Sequence, residues 1–508
     1  MPASSYRTGF WFWVIVSFSL ALFCLDKFWS NNADFAHHYT LVSRLANDWR
    51  LSTALDPSLG EISIYPRYSH ILAAILGTLS GSPLAGIQLV VLLSLLAVWS
   101  ALAFGLQSLP RRALIPVSCI LALLLVANHW ARLGLYGEEI VGNFFFAQFT
   151  AEAAAIVILV LMMFAERRKG SAIARYLAWA AAIFFVEGIH LLPALELAAA
   201  FAFMVLADFC LDTSERRLKT FVSGLLIGLG TMAAVIAHPT FNVMRQISEN
   251  NGGLSMRFIS SVKSMVGLCL VVGVLSFSLL LRWARLAPQK IKQDALFLKY
   301  LSLYGVAISL VCVLQILMLE LRQGSPYACL KYAFGLNTLL VLESVLLAVL
   351  WLKPQWFQQA PDIRNSENLF DTLFVGLFIL VGFFSVLPLK AEASVSHLIS
   401  IERFARFSHE FLMEKIPGKF DYAIGLTGLS SSEDYMLSIG ALGAPRDANT
   451  SNILGGKSFS DPAVVGHIMT SENARYDIPA CRKYISPDSI VILDGSCVVT
   501  RISIFQVY

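Results

Sequence analysis

Charged residues are scarce in this chain. Only 14% of its 508 residues are Asp, Glu, Lys or Arg, whereas 57% are hydrophobic and the mean hydropathy is +0.67. A soluble protein of this length needs more charge to cover its surface. The net charge of +4 is small, and the basic residues stand in short loops beside apolar segments. This pattern argues against a nucleic-acid-binding surface and indicates a membrane protein.

Repeats, metal motifs and a cleavable leader are also missing. We find no repeat with a period of about 20–50 residues and no low-complexity block. The eight cysteines lack metal-ligand spacing. The first apolar run ends at Phe23-Cys24, where a signal peptidase would need small residues, so we expect an uncleaved signal anchor. Cys481 and Cys497 alone lie in the polar tail, and they can pair as a disulfide if that tail is outside the cytoplasm.

Long apolar runs dominate what is present. About eleven segments between Phe10 and Leu389 are long enough to cross a bilayer, and a polar tail of about 120 residues follows. Every second junction between them is richer in Arg and Lys, which predicts a cytoplasmic N-terminus and a C-terminus outside the cytoplasm. The predicted spans are Gly9–Leu25, Leu84–Leu106, Ala113–Asn128, Asn143–Ala165, Ala172–Val186, Leu192–Leu211, Phe221–Ala237, Val262–Leu281, Leu298–Leu319, Phe334–Leu352 and Leu369–Leu389.

One further apolar segment, Arg67–Gly81, is too short to span. About 15 helical residues rise about 22 Å, less than the hydrocarbon core of about 30 Å. We therefore predict an interfacial or re-entrant helix on the outer face. The predicted fold is a mostly α, polytopic bundle of about eleven spans over residues 1–389. A small α/β or α+β domain outside the cytoplasm follows over residues 390–508, with strand-like runs at Ser489–Leu493 and Val498–Phe505.

Polar residues gather in the predicted first outer loop. A helix is expected from a cap at Asn32 to about Trp49, and Asp34, His37 and His38 share one of its faces. An ionised carboxylate at the mouth of a membrane bundle is costly unless it has a partner or a function. Asp34 is therefore a candidate catalytic base. The alternative is that its charge only stabilises the first turn of a surface helix.

The segment Tyr65–Tyr68 (Tyr-Pro-Arg-Tyr) opens the short apolar helix, and His70 follows it. Pro66 suits a helix start. These residues either bind a ligand or anchor the helix at the membrane surface, with aromatic rings at the interface and a snorkelling Arg67. The sequence leaves both readings open.

The chain resembles the GT-C superfamily in three features. It has an Asp soon after the first span, the segment Tyr65–Tyr68 at the start of a short helix, and then a span with a basic end. The members of this superfamily are integral-membrane glycosyltransferases that use polyprenyl-phosphate sugars. The chain is similar in plan to protein mannosyltransferases, the lipid A aminoarabinose transferase and arabinofuranosyltransferases. The likeness covers the whole plan: an odd number of spans, a long first outer loop and a C-terminal domain outside. The chain departs from many members in having a lone Asp34, followed by His37 and His38, where an acidic pair is common.

The resemblance implies an inverting transfer of a hexose or pentose. Asp34 would accept the proton of an acceptor hydroxyl that attacks the anomeric carbon, and the lipid phosphate would leave. Cations would hold the departing phosphate charge. Most of these cations lie in the predicted outer loop 322–332. That loop could instead be a basic flank that only stops membrane transfer, but the positive-inside rule argues against two cations on the outer side. The candidate phosphate-binding residues are Arg322, Lys331, Tyr327, Tyr332 and Arg67.

Other outer-side residues are candidates for binding the sugar or acceptor: His37, His38, Tyr65, Tyr68, His70, Glu138, Glu139, His190 and His238. As an alternative to sugar binding, His37, His38, Glu139 and His190 could bind a divalent metal ion. None of them shows the HExxH-like spacing of a known metal site. Glu152, Glu196 and Gln148 fall inside predicted spans, where acids are suspected of function.

The expected location is a bacterial inner (plasma) membrane. The expected partners are the lipid-linked sugar donor, membrane lipid and an acceptor protein or glycan, without nucleic acid. Two other classes stay open. A polysaccharide polymerase or ligase would share the lipid-linked donor. A transporter would show repeat symmetry, of which the sequence gives no sign.

Overall fold

The computed structural model describes residues 15–27, 33–48, 59–168, 170–211, 217–247, 254, 259, 261–286, 292, 295–358, 369–387, 394–415, 420–444 and 465–505. The predicted cap at Asn32, the start of the first predicted span and the predicted domain boundary after residue 389 lie outside these residues. The domain boundary therefore stays a prediction.

Helices make up most of the described chain. In chain order they are α1 (Ile15–Cys24), α2 (Ala33–Asn47), α3 (Tyr68–Ser80), α4 (Pro83–Gln107), α5 (Arg111–Ala131), α6 (Glu138–Asn143), α7 (Phe146–Arg167), α8 (Ala172–Glu187), α9 (Leu191–Leu211), α10 (Arg217–Ala237), α11 (Pro239–Ile247), α12 (Val262–Ala284), α13 (Leu296–Glu320), α14 (Pro326–Leu330), α15 (Ala333–Leu352), α16 (Gln355–Gln358), α17 (Leu369–Val386), α18 (Val395–Lys415), α19 (Ser431–Gly440) and α20 (Gly495–Phe505).

Among the described residues, 8 helices are long and apolar enough to cross a membrane: α4, α5, α7, α9, α10, α12, α13 and the continuous α14–α15 segment. Each coincides with a predicted span, and the chain is a mostly helical protein with several membrane-spanning helices. The other predicted spans correspond to shorter helices, α1 and α8, and to α17, whose described apolar part is Gly376–Val386. The count of about eleven spans stays a prediction.

The chain divides into two compact units. The first comprises Met1–Leu92, Gly142–Phe146 and Pro388–Tyr508, and the second comprises Leu93–Val141 and Ala147–Leu387. Each unit has its own buried aromatic side chains, such as Tyr39 and Tyr435 in the first and Trp179 and Tyr304 in the second.

In the first unit, α2 packs against α3 and α19. The α2–α19 crossing is close: a Cβ placed on Gly440 would lie only 2.2 Å from Cε1 of the Tyr39 ring. A side chain larger than hydrogen would push the two helices apart, because a buried ring between them has no room to move. Gly440 therefore sets the distance between α2 and α19.

Helix α18 is attached to the same unit by a buried carboxylate. Glu402 accepts hydrogen bonds from the Tyr39 hydroxyl at 2.9 Å, from the Leu84 backbone N–H at 3.2 Å and from the Ser82 hydroxyl. Burial raises the pKa of Glu402 above its usual range. Arg403 donates to the Ser80 carbonyl at 2.6 Å. These bonds join α18 to α2, to the end of α3 and to the start of α4.

The C-terminal part also contains a four-stranded sheet, with β1 (Phe420–Ala423), β2 (Val465–Ser471), β3 (Arg482–Ile485) and β4 (Ile490–Asp494) in the order β1-β2-β4-β3. β1 and β2 are parallel, with α19 between them in sequence, and the β2–β4 and β3–β4 pairs are antiparallel. The strand expected at Ser489–Leu493 corresponds to β4.

The prediction of a strand at Val498–Phe505 is wrong, because this segment lies in α20. The Asp494 carboxylate accepts the Cys497 backbone N–H at 3.2 Å, as an N-terminal cap does. Cys497 is also joined to Cys481 by a disulfide with Cα atoms 5.6 Å apart. The cap and the packing of the helix on β2 and β4 override the strand preference of its β-branched residues.

Asp434 lies buried in α19, where its Oδ2 accepts the Gly425 backbone N–H at 2.7 Å. Burial raises the pKa of Asp434 to about 7. The folded state therefore keeps its proton to higher pH than the unfolded state, whose pKa is about 3.9. Below pH 4 both states are protonated. Between about pH 4 and 7 only the unfolded state ionises, so stability falls as the pH rises.

We predict that Asp434→Asn removes this dependence on pH. The wild type should lose on the order of 4 kcal/mol between pH 4 and pH 8 through this group, and the variant should lose much less. Thermal unfolding of the full chain in detergent at pH 5 and pH 8 measures the difference. Asp488→Asn, in an exposed turn, is the matched control. Equal pH slopes for wild type and Asp434→Asn would contradict the prediction.

The second unit is built around α13, which packs against α9, α12 and α15. Near its first turn, the buried Lys299 ammonium lies 2.8 Å from both the Glu166 and the Asp208 carboxylates. Arg175 bonds Asp208 at 2.5 Å, and the Tyr300 hydroxyl donates to Glu166 at 2.8 Å. Two cations and two carboxylates thus join α7, α8, α9 and α13 at the ends where the sequence predicts the cytoplasm.

Candidate functional site

The candidate base lies in the first turn of α2, in the first unit. Asp34 is partly buried there, and Tyr65, from the segment before α3, lies within its electrostatic reach. Burial and, second, the negative charge of Asp34 raise the pKa of the Tyr65 hydroxyl. The Tyr65 hydroxyl therefore stays protonated at neutral pH.

One helical turn beyond Asp34, a pair of histidines joins α2 to α3. His38 Nδ1 lies 2.8 Å from His70 Nε2, and His70 Nδ1 lies 3.0 Å from the Pro66 carbonyl oxygen. Both side chains are buried. Since the carbonyl can only accept, His70 Nδ1 carries a proton and Nε2 is left as an acceptor. His38 must then donate from Nδ1, which makes its own Nε2 the basic atom.

The surroundings keep His70 neutral. Burial, opposed by the Pro66 hydrogen bond and assisted by the nearby positive charge of Arg67, lowers the pKa of His70 to about 3. The direction of each hydrogen bond in the chain Pro66–His70–His38 is therefore determined over the ordinary pH range.

Aromatic rings enclose the two histidines. The Phe146 ring lies 5.6 Å from His38 and 5.2 Å from His70, and the Tyr65 ring lies 5.5 Å and 6.0 Å from them. Phe144 also faces His38, at 6.1 Å, and has a positive φ of 54°, which is strained for a bulky residue. Sequence reasoning missed both phenylalanines, because a Phe-Phe-Phe run next to an apolar span resembles the start of that span.

The other predicted residues of this unit have structural contacts. His37 Nε2 lies 3.5 Å from the Tyr435 hydroxyl of α19. Arg67 donates to the Ser63 carbonyl at 2.9 Å, and the Tyr68 ring is exposed. Asp34, His38, Tyr65 and His70 are thus assembled by the first unit from two loop segments, whereas Tyr68 points to the surface.

Lys331 is the centre of a second polar cluster, in the second unit. Its ammonium lies 4.6 Å from the centre of the Tyr327 ring and within electrostatic reach of Glu152 and His190. Burial and, second, the charge of Lys331 lower the pKa of His190, which is therefore neutral. Tyr332 is buried, and its hydroxyl has no hydrogen-bond partner among the described residues.

Two buried carboxyl groups share this cluster. Glu139 and Glu152 lie within electrostatic reach of each other. Glu139 also accepts the Gly137 backbone N–H at 2.8 Å, and Glu152 accepts from Gln148 at 2.8 Å. Burial raises the pKa of Glu139.

The cluster extends into the bundle through Glu196. This carboxylate accepts from the Tyr304 hydroxyl at 2.5 Å, and the Tyr304 and Tyr136 hydroxyls are 3.4 Å apart. Glu152 and Glu196 also feel each other's charge. The intramembrane acids suspected from the sequence therefore belong to the same cluster as Glu139 and Lys331.

The remaining candidates lie at other places in the second unit. Glu138 accepts from the Asn128 amide at 2.6 Å, which connects α6 to the end of α5. His238 accepts from the Thr240 backbone at 3.2 Å and lies 4.0 Å from Glu187. Arg322 is exposed in the turn after α13, with a φ of 60°.

Asp34 belongs to the first unit, and Arg322 and Lys331 to the second. The single pocket expected to unite them stays a prediction. Among the described residues, no three or more histidine, cysteine or acidic side chains form a group that would hold a metal ion. The metal set drawn from the sequence, His37, His38, Glu139 and His190, therefore gains no support. No protein-family model matches the chain, and a search of curated proteins finds no match.

Proposed function

We propose that this protein is a membrane glycosyltransferase that moves a sugar from a polyprenyl phosphate to an acceptor hydroxyl on the outer side of a bacterial inner membrane. Asp34 is the general base, and the N-terminus is cytoplasmic. The acceptor is a hydroxyl group of a protein or a glycan. The observation that carries the proposal is the assembly of Asp34, Tyr65, His38 and His70 from two separate parts of the first predicted outer loop.

The reaction requires little more than these groups and a cation. The acceptor oxygen attacks the anomeric carbon and gives its proton to Asp34, while the bond between that carbon and the phosphate oxygen breaks with its electron pair going to the phosphate. Attack opposite the leaving group inverts the configuration. Positioned proton acceptors typically contribute about 10²–10⁴-fold to such a step. Lys331 is the favoured partner of the phosphate, since its ammonium stands among neutral or acidic groups.

The acidic residues around Lys331 affect the net charge of the proposed donor site. Because burial of Glu139 favours its neutral form and Lys331 lies within electrostatic reach of Glu152, the cluster carries less negative charge than its count of acids implies. Tyr327 and Tyr332 add ring faces and a buried hydroxyl beside the cation. These properties suit a phosphate next to a polyhydroxylated sugar, which offers hydroxyl groups to buried carboxyl acceptors.

The test uses the full chain reconstituted in liposomes with a bacterial membrane fraction as the source of acceptors. A panel of polyprenyl-phosphate hexoses and pentoses is supplied, and mass spectrometry follows the release of free polyprenyl phosphate. We expect time-dependent release from at least one monophosphate donor. Release of polyprenyl diphosphate from diphosphate-linked sugars alone would instead identify a polymerase or ligase. Consumption of neither donor class would contradict the proposal.

A further inference from the structure

We propose that His38 and His70 form a proton-accepting dyad for this reaction, in which His38 Nε2 takes over the acceptor's proton from Asp34 and His70 is a positioning residue. This inference rests on the proposed function, and it assigns a role that the sequence did not suggest for either histidine. The geometry that carries it is the directed chain from the Pro66 carbonyl through His70 to His38 Nδ1, with contacts of 3.0 Å and 2.8 Å.

The chain is directed by elementary hydrogen-bond chemistry. A carbonyl oxygen is only an acceptor, so each imidazole in turn must donate from Nδ1 toward it. His38 is thereby held in one tautomer and one ring orientation, as histidines in acid–base catalysis are. When His38 takes a proton on Nε2, its Nδ1–H bond to His70 becomes charge-assisted and shorter, which stabilises the cation.

A purely structural pair is the less economical explanation. The two imidazoles are enclosed by Phe144, Phe146 and Tyr65, so burying them costs the free energy of their lost hydration. Leucine or phenylalanine at these positions would not incur this cost. Apolar residues of similar size would fill this space and join α2 to α3 equally well. Unlike an apolar pair, the two histidines supply a base whose tautomer is fixed inside an apolar enclosure.

The proton has a short path. Asp34 and His38 are separated by four residues in α2, which places their Cβ atoms about 6 Å apart on the same helix face. Free aspartic acid is a stronger acid than a free imidazolium ion, so the intrinsic proton affinities favour transfer from Asp34 to neutral His38, whereas burial of the imidazole opposes it. The carboxylate is restored as a base, and the imidazolium later releases the proton to water. No other reactant is needed.

Four neighbouring groups set the affinity of His38 for the proton. The Asp34 carboxylate, one helical turn away, favours the imidazolium, and the positive charge of Arg67, which acts on His70, opposes an added proton on the dyad. Tyr65 and His70 are both neutral and contribute only dipoles. The balance therefore depends on Asp34, so His38 should hold its proton less tightly in an Asp34→Asn variant.

The first experiment is independent of turnover. Full-length protein with ¹⁵N-labelled histidine in nanodiscs is studied by NMR, and His38→Asn and His70→Gln identify the signals. At pH 7 we expect both His38 and His70 to be protonated at Nδ1. Protonation of His38 at Nε2, or averaging between the two tautomers, would overturn the dyad whether or not the protein is a glycosyltransferase.

The second experiment compares three variants in the donor-release assay. His70→Gln keeps an acceptor for His38 Nδ1–H and should retain turnover within about threefold. His70→Leu removes that acceptor and should lower kcat by about 10–100-fold and move the acidic limb of the pH profile, because the tautomer of His38 is no longer held. Phe146→Leu loosens the same enclosure without touching the hydrogen bonds, and it should leave the pH profile unchanged.

The outcomes separate the two claims. An equal loss in His70→Leu and Phe146→Leu, with unchanged pH profiles, would show a packing role and overturn the dyad. If no donor is consumed by the wild type, the proposed function fails, and the catalytic role of the dyad fails with it even when the NMR tautomers are as expected.

Discussion

Replacing Asp34 by asparagine is expected to lower the turnover of a polyprenyl-phosphate sugar by about 10²–10⁴-fold, while the affinity for the donor changes by less than about threefold. The substitution keeps the size of the side chain and removes the charge that accepts the proton. Because Tyr65 lies within electrostatic reach of Asp34, the pKa of its hydroxyl should fall toward its usual value in the variant. The measurement is kcat and donor KM for the full chain in liposomes.

The matched control for this prediction is Asp48→Asn, an exposed aspartate just after the end of the same helix, α2. It changes the same charge on the same element and should leave turnover within about twofold of the wild type. A normal rate for Asp34→Asn would remove this carboxylate from the mechanism. A loss of donor binding together with turnover would assign it to binding rather than to catalysis.

Replacing Lys299 by methionine is expected to destabilise the protein by about 3–5 kcal/mol. Methionine matches the length of the buried chain but leaves Glu166 and Asp208 with Arg175 as their only cationic partner among the described residues. One partly buried negative charge is then uncompensated, whereas the apolar packing is nearly unchanged. Thermal unfolding in detergent measures the effect, with Lys353→Met, at an exposed position, as the control.

A second substitution tests the cause of that loss. Asp208→Asn in the Lys299→Met background restores a balance of one cation, Arg175, and one carboxylate, Glu166. The double variant should therefore be more stable than Lys299→Met alone, although it departs further from the wild type. If the double variant is less stable than the single one, the destabilisation comes from lost packing and not from unpaired charge.

Most of the membrane helices could be predicted, because in a bilayer the length and hydropathy of a segment determine whether it spans. The eight helices from α4 to α15 that are long enough to cross all coincide with predicted runs. The short helix α3 at Arg67–Gly81 was predicted for the same reason. The segment Val498–Phe505 was not, because an Asp494 cap and a disulfide at Cys497 outweigh the strand preference of its β-branched residues.

The amino-acid sequence alone indicated a membrane protein and where its apolar helices lie, since these properties depend on local composition. It did not determine which of the candidate site residues meet. His38 and His70 are 32 positions apart, and Glu139 and Lys331 are farther still, so no local pattern relates them. Only the tertiary structure decided that the His38 and His70 rings meet and that Lys331 lies within electrostatic reach of Glu152 and His190, because these relations depend on how distant segments pack.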